Sequence, residues 1–168
     1  MGFVLILGGA RSGKSDRAQR LGLESGRPVT FVATATAGDD EMAERIGRHR
    51  TARPDSWATV EAPVRLLEAV QASPPGDFVI VDCLTLWVAN LQESGLGPDD
   101  IVDVAACVAA ELASRSGAVV SNEVGLGIVP ASAQARTFRD VLGRVNARFA
   151  DHAEHSVLMV AGRGLELT

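Results

Sequence analysis

Apolar positions along the chain fall into two rhythms. Continuous β-branched or apolar runs at Phe3–Leu7, Val29–Ala33, Phe78–Val81, Ala118–Ser121 and Val157–Ala161 predict strands covered on both faces. Between them, helical patterns run over Lys14–Glu24, Asp39–Arg50, Val64–Ala72, Leu84–Leu91, Asp99–Ser114 and Ser132 to about Ala153. Strands alternating with helices imply right-handed crossovers, hence an α/β fold with a mostly parallel central sheet and helices on both faces. Ligands of such sheets sit at the carboxyl ends of the strands, which singles out Gly8, Thr34, Asp82, Asn122 and Gly162. The turn-rich stretches SPPGD (Ser73–Asp77) and ESGLGPD (Glu93–Asp99) read as loops inside one domain spanning residues 1–168.

The first strand runs into GGARSGKS, Gly8 to Ser15, which satisfies G-x-x-x-x-G-K-[ST] between a strand and a helix. Glycines let successive backbone N–H groups turn inward around an anion, and the helix N-terminus adds its positive dipole end at the same point. Gly8, Gly9, Ala10, Arg11, Ser12, Gly13, Lys14 and Ser15 are therefore expected to hold nucleotide phosphates. Lys14 would reach the β/γ-phosphates and the Ser15 hydroxyl would hold Mg²⁺. Asp82, ending the apolar run FVIVD, stands where a carboxylate orients Mg²⁺ through water, although an Asp there also caps a following helix.

Composition sharpens this picture. The net charge is −5, and no basic stripe of the kind that neutralises nucleic acid or an anionic membrane is present, so neither is expected as a partner. Of the 16 Lys and Arg residues only Lys14 is lysine, in keeping with a site that requires a compact ammonium, though one residue does not exclude chance. Cys83 and Cys107 have no metal-ligand spacing and suit a reducing compartment, so the cytoplasm is the expected location. Phe3–Leu7 is too short for a signal-peptide core, and no run reaches the ~20 apolar residues of a membrane span.

The stretch DDEMAERIGRHRTARPDSW, Asp39–Trp57, adds a second chemistry. On the predicted helix His49 continues the apolar stripe of Met42 and Ile46, which by itself favours packing. Arg48, Arg50 and Arg53 surround it with positive charge, which disfavours the imidazolium and draws a triphosphate toward a neutral ring nitrogen able to attack phosphorus. The same arginines could form a solvated face or pair with Asp39, Asp40, Glu41 and Glu44. His152 and His155, in DHAEH, read as a structural helix end and turn. Arg136, Arg139, Arg144 and Arg148 punctuate the last helix as a solvated or subunit-facing stripe.

Four segments in this order, GGARSGKS, DDEMAERIGRHRTARPDSWATVEAP, VDCLT and NEVGLGIVPASAQARTFRDVLGRVN, resemble the bifunctional adenosylcobinamide kinases and adenosylcobinamide-phosphate guanylyltransferases of cobalamin biosynthesis. The resemblance spans nearly the whole chain, and the block from Asn122 to Asn146 is its most specific part. It implies a RecA-like P-loop NTPase fold and an enzyme that phosphorylates the aminopropanol hydroxyl of adenosylcobinamide with ATP or GTP. GMP then passes from GTP onto that phosphate through a guanylyl-histidine, with pyrophosphate as the other product. By the same resemblance His49 is the nucleophile, and nucleotide contacts fall on Gly8–Ser15, Ala33, Thr34, Ala35, Arg50, Thr51, Ala52, Arg53, Glu61 and Asp82. Glu61 could hydrogen-bond guanine N1–H and N2–H, or could be an ordinary exposed carboxylate. A homotrimer is also implied. Two other readings stay open on the residues alone: a monofunctional P-loop kinase of a small metabolite, and a non-enzymatic nucleotide switch.

Overall fold

The computed structural model describes residues 2–36, 44, 47 and 53–167. Twelve elements appear among them. In chain order these are β1 (Phe3–Gly8), α1 (Lys14–Glu24), β2 (Val29–Ala33), β3 (Ala58–Glu61), α2 (Leu66–Ala72), β4 (Phe78–Asp82) and α3 (Leu84–Glu93). There follow α4 (Pro98–Ala113), β5 (Ser116–Val120), α5 (Ala133–His152), β6 (His155–Val160) and β7 (Arg163–Leu167). Of the predicted helix Asp39–Arg50, only Glu44 and Gly47 lie within the described residues; both are helical and exposed.

The strands form one seven-stranded sheet in the order β3-β2-β4-β5-β1-β6-β7. All pairings are parallel except β6 with β7. Alternate residues of β1, β2, β4, β5 and β6 enter opposite cores. Leu5, Val32, Val79, Val81 and Val119 pack under α2, α3, α4 and α5, while Ile6, Phe31, Ile80, Ala118 and Val120 pack on the α1 side. This two-sided burial is why the strands read as continuous apolar runs. On the larger side Phe3 and Phe149 meet edge to face, ring centroids 6.0 Å apart. Helix α4 begins with Pro98 and carries Asp99 and Asp100 in its first turn, where a missing N–H and negative charge are both tolerated. The Ser132 side chain caps α5 by accepting from the Ala135 N–H at 3.2 Å.

Two strands escape the hydrophobic pattern, β3 and β7, and both are wholly exposed edge strands. Ala161, expected as the end of a strand, instead forms with Gly162 a two-residue hairpin turn, with φ of 50° and 77°. A turn of that hand requires positive φ at both positions, and Ala in the first of them carries no turn signal. His155 likewise belongs to β6, paired with Val4, rather than to a turn. Ser121 lies one residue past β5 but stays buried. Among the described residues no helix is long and apolar enough to cross a membrane.

Candidate active site

The segment from Gly8 to Ser15 leaves β1 at its carboxyl end and enters α1, as its glycines require. Gly8 has φ +150°, and a Cβ there would collide with the Met159 carbonyl oxygen and stand 2.7 Å from Ser12 Oγ. Gly13 has φ +95°, and its Cβ would lie 3.3 Å from Gly162 Cα. The loop is thus wedged against the β6–β7 turn, and the Gly162 N–H donates to the Ser12 carbonyl at 3.0 Å. Arg11 also has positive φ, 54°, a strained conformation of the kind that ligand-clamping loops retain. Lys14 is only 7% exposed. Its ammonium donates to the Gly9 carbonyl at 2.6 Å and lies 3.5 Å from Ser12 Oγ, so the positive charge is held inside the curl of the loop.

Across the sheet, strand register lines up the other expected residues. Glu61 pairs with Ala33, Ala33 with Asp82, Asp82 with Val120, and Val120 with Ile6 of β1. With strands about 4.8 Å apart, Asp82 stands about 10 Å across the sheet from Ile6, one strand (β5) lying between. The Glu123 N–H after β5 donates to the Gly8 carbonyl at 3.1 Å and ties the middle of that row to the phosphate loop. Asn122 is held by the Thr85 hydroxyl, which accepts its N–H at 2.8 Å, and by Asn146, whose amide donates to its carbonyl at 3.1 Å. All five strand-end positions therefore lie at the carboxyl edge of the sheet.

Thr34 is completely buried. Its hydroxyl accepts from the Cys83 N–H at 2.8 Å and donates to the Cys83 carbonyl at 2.7 Å, gripping the peptide that follows Asp82. Burial, with a smaller contribution from the Asp82 charge, pushes the Cys83 thiol up to about 11, so it stays protonated at neutral pH and is no nucleophile. Asp82 and Ser15 are half-buried, and Glu61 is exposed on β3 and paired with Ala33. No group of three His, Cys, Asp or Glu gathers into a metal cage among the described residues. The donors present suit an ion that arrives with phosphates and keeps its waters, as Mg²⁺ does.

Arg53 lies with its guanidinium carbon 3.4 Å over the Phe31 ring, anchored to the α1 face of β2 two residues before Ala33. His49, Arg50, Thr51 and Ala52 lie outside the described residues. The other two histidines are placed away from the phosphate loop. His155 opens β6 at the opposite edge of the sheet, and His152 Nδ1 lies 2.9 Å from the Arg148 carbonyl. The arginines of α5 make local contacts: Arg136 donates to the Pro130 and Ala131 carbonyls, and Arg144 meets Asp99 of α4 at 2.9 Å. Sequence reasoning missed Asn90, Thr85 and Asn146, polar side chains on otherwise apolar helix faces that pin the strand-end loops. A polar residue beside a buried stripe was the available signal.

Comparison with known proteins agrees with this architecture. The pattern of the family described as cobinamide kinase / cobinamide phosphate guanyltransferase matches residues 4–167. The bifunctional adenosylcobalamin biosynthesis protein CobP of Pseudomonas aeruginosa is 42% identical over 166 residues, covering 97% of this chain and 95% of that protein. The bifunctional adenosylcobalamin biosynthesis protein CobU of Escherichia coli is 41% identical over 180 residues, covering 98% and 99%. Among solved structures the RadB recombinase aligns with a TM-score of 0.53 at 14% identity, covering 94% of this chain and 73% of that one, a likeness of RecA-like fold alone. With its sequence matched from the first strand to the last, the chain belongs to the cobinamide kinase / cobinamide phosphate guanyltransferase family.

Proposed function

We propose that this chain carries out both reactions of its family at the carboxyl edge of the sheet, with His49 as a covalent way-station for GMP. In the kinase reaction the aminopropanol hydroxyl of adenosylcobinamide attacks the γ-phosphorus of ATP or GTP. The bond to the β-phosphate oxygen breaks, the nucleoside diphosphate leaves, and the hydroxyl proton is released. In the transfer reaction a neutral His49 nitrogen attacks the α-phosphorus of GTP, and pyrophosphate departs with the bonding electrons. The phosphate oxygen of adenosylcobinamide phosphate then attacks the guanylyl phosphorus and the P–N bond breaks. Adenosylcobinamide-GDP forms and the imidazole is restored.

Each step transfers a phosphorus centre whose outer charge must be held still. The backbone of Gly8–Ser15 and the Lys14 ammonium supply that hold, Ser15 and Asp82 would ligate Mg²⁺, and Arg50–Arg53 add positive charge near the α-phosphate. Bound Mg²⁺ would neutralise charge on the phosphate oxygens. Ala33–Ala35 and Glu61 form the base-side wall, where the Glu61 carboxylate accepts from guanine N1–H and N2–H. We place the enzyme in the cytoplasm, as its two unpaired thiols suit, and as a homotrimer. Val124, Leu126 (82% exposed), Ile128 (98%) and Val129 supply apolar surface for contacts between copies.

The observation that carries this reading is the chain's only lysine, buried inside a P-loop curl within a chain matched to this family over its whole length. The test uses GTP labelled at the α-phosphate. After denaturation, acid-labile and base-stable label should remain on the wild-type protein and be absent from His49→Ala. Unlabelled wild-type protein, or equal label on the variant, would refute the histidine route and favour a monofunctional kinase.

A further inference from the structure

We propose that Asn90, in the middle of α3, is a positioning residue that holds the base-side half of the nucleotide site in register. The inference rests on the reading above that Ala33–Ala35, Glu61 and Asp82 face the nucleotide, and it adds a residue outside that set. One amide nitrogen does the work. Asn90 Nδ2 donates to the Thr34 carbonyl at 2.8 Å and to the Pro63 carbonyl at 2.9 Å. Both partners are acceptors only, so the orientation of the amide is dictated by them.

Those two carbonyls belong to different strand ends. Thr34 follows β2, and Pro63 lies two residues beyond Glu61, the last residue of β3. Backbone pairing carries the two strands no further than the Ala62 N–H to Ala33 carbonyl bond at 2.8 Å. Beyond that point no ladder bond among the described residues sets the spacing of the loops, and the Asn90 amide bridges them. Through Thr34 the bridge reaches β4 as well, because the Thr34 hydroxyl grips both ends of the Cys83 backbone next to Asp82. One turn earlier on α3 the Trp87 indole N–H donates to the Val64 carbonyl at 2.9 Å, so the helix holds two consecutive residues of the β3 exit.

An apolar side chain at position 90 would fill space but leave two carbonyls without their donor. Loosening them frees Pro63 and with it the point where Glu61 leaves the sheet. The phosphate loop is not in this network: its backbone is braced by Glu123 and Gly162. Asn90 therefore acts chiefly on recognition of the base, because the loop that holds the phosphates has braces of its own.

The test compares Asn90→Gln, Asn90→Ala and Asn90→Asp in the full chain. Calorimetry in the presence of Mg²⁺ gives the Kd for GTP, for inosine triphosphate (which lacks the guanine N2 amino group) and for inorganic tripolyphosphate, with thermal midpoints alongside. GTP affinity should fall in the order Asn, Gln, Ala, Asp, by about tenfold at Ala. The preference for GTP over inosine triphosphate should shrink with it, and tripolyphosphate affinity should hold within about twofold. Asp is nearly isosteric with Asn but turns a carboxylate toward two carbonyls, so it is the most damaging variant for a bridging role and the mildest for a packing role. If Asn90→Asp does not fold, the Ala and Gln pair carries the comparison.

The proposal is overturned if folded Ala and Gln variants keep the wild-type base preference, if tripolyphosphate binding falls in step with GTP, or if the wild type shows no preference for GTP over inosine triphosphate. The covalent label on His49 is read separately. Its absence from wild type would refute the guanylyl-transfer route and leave the binding comparison intact.

Discussion

Lys14 offers the sharpest perturbation, because the structure separates its charge from its shape. Lys14→Met keeps a flexible stem of similar reach and removes the ammonium that now donates to Gly9 at 2.6 Å. At an effective dielectric constant of about 20, unit charges about 4 Å apart attract by about 4 kcal/mol, and loop N–H groups recover only part of that. A net loss of about 3–4 kcal/mol on the phosphoryl-transfer transition state lowers kcat/KM about 10²- to 10³-fold. Stability should change by less than about 1 kcal/mol, since the shortest bond lost is to the carbonyl of exposed Gly9, which water can replace. Lys14→Arg keeps the charge but must fit a planar fork into a curl where the present side chain is 7% exposed. It should fall within about tenfold of the Met variant despite its positive charge. The assay is kcat/KM for each reaction separately, with tripolyphosphate affinity and the thermal midpoint measured on the same preparations. Less than a tenfold loss in Lys14→Met for both reactions would refute the assignment of this ammonium to the phosphates, and wild-type rates in Lys14→Arg would refute the argument from the fit of the curl.

Gly8→Ala should lower stability by about 2 kcal/mol or more, because its Cβ meets the Met159 carbonyl at a φ that side chains rarely adopt. For a chain of this size that is a fall of roughly 4–8 °C in the thermal midpoint, and an unchanged midpoint would show that the loop relaxes freely. Cys107, exposed on α4, should react with iodoacetamide at pH 8 while Cys83 resists until the pH nears 11; equal rates at pH 8 would contradict the burial argument. The same shift makes stability fall as pH climbs from 9.0 toward about 11, since the unfolded chain loses that proton first, and Cys83→Ala should flatten this alkaline limb.

What could be read from the residues follows from where the information is local. The strands buried on both faces declare themselves through unbroken apolar runs, and α1 is marked at both ends, by Gly13–Lys14 and by Ser25–Gly26. The edge strands β3 and β7 bury nothing that would raise an apolar signal, and β7 depends on a hairpin turn whose first residue is Ala161. The P-loop pattern of Gly8–Ser15 can be read residue by residue because it occupies consecutive positions, and the structure places it, as the pattern requires, between β1 and α1. Asn90 cannot be read in this way, because its meaning lies in two carbonyls 56 and 27 residues away in the chain.

Strand order also bears on how one chain could serve two reactions. Insertion of β5 between β1 and β4 separates the phosphate-holding loop from the strand ends bearing Thr34, Asp82 and Glu61. Each half has its own bracing: Gly162 and Glu123 for the loop, Asn90 and Thr34 for the ends of β2, β3 and β4. On the proposed reading, a nucleotide spanning the gap would be held at its phosphate end by the loop and at its base end by the strand ends. The proposed kinase step would then address the γ-phosphorus and the proposed transfer step the α-phosphorus of a nucleotide held in this way. On that reading, two separately braced ends would let one grip serve attack at either phosphorus without rebuilding the site. On this view damage to either brace impairs both reactions, whereas damage at His49 impairs guanylyl transfer alone.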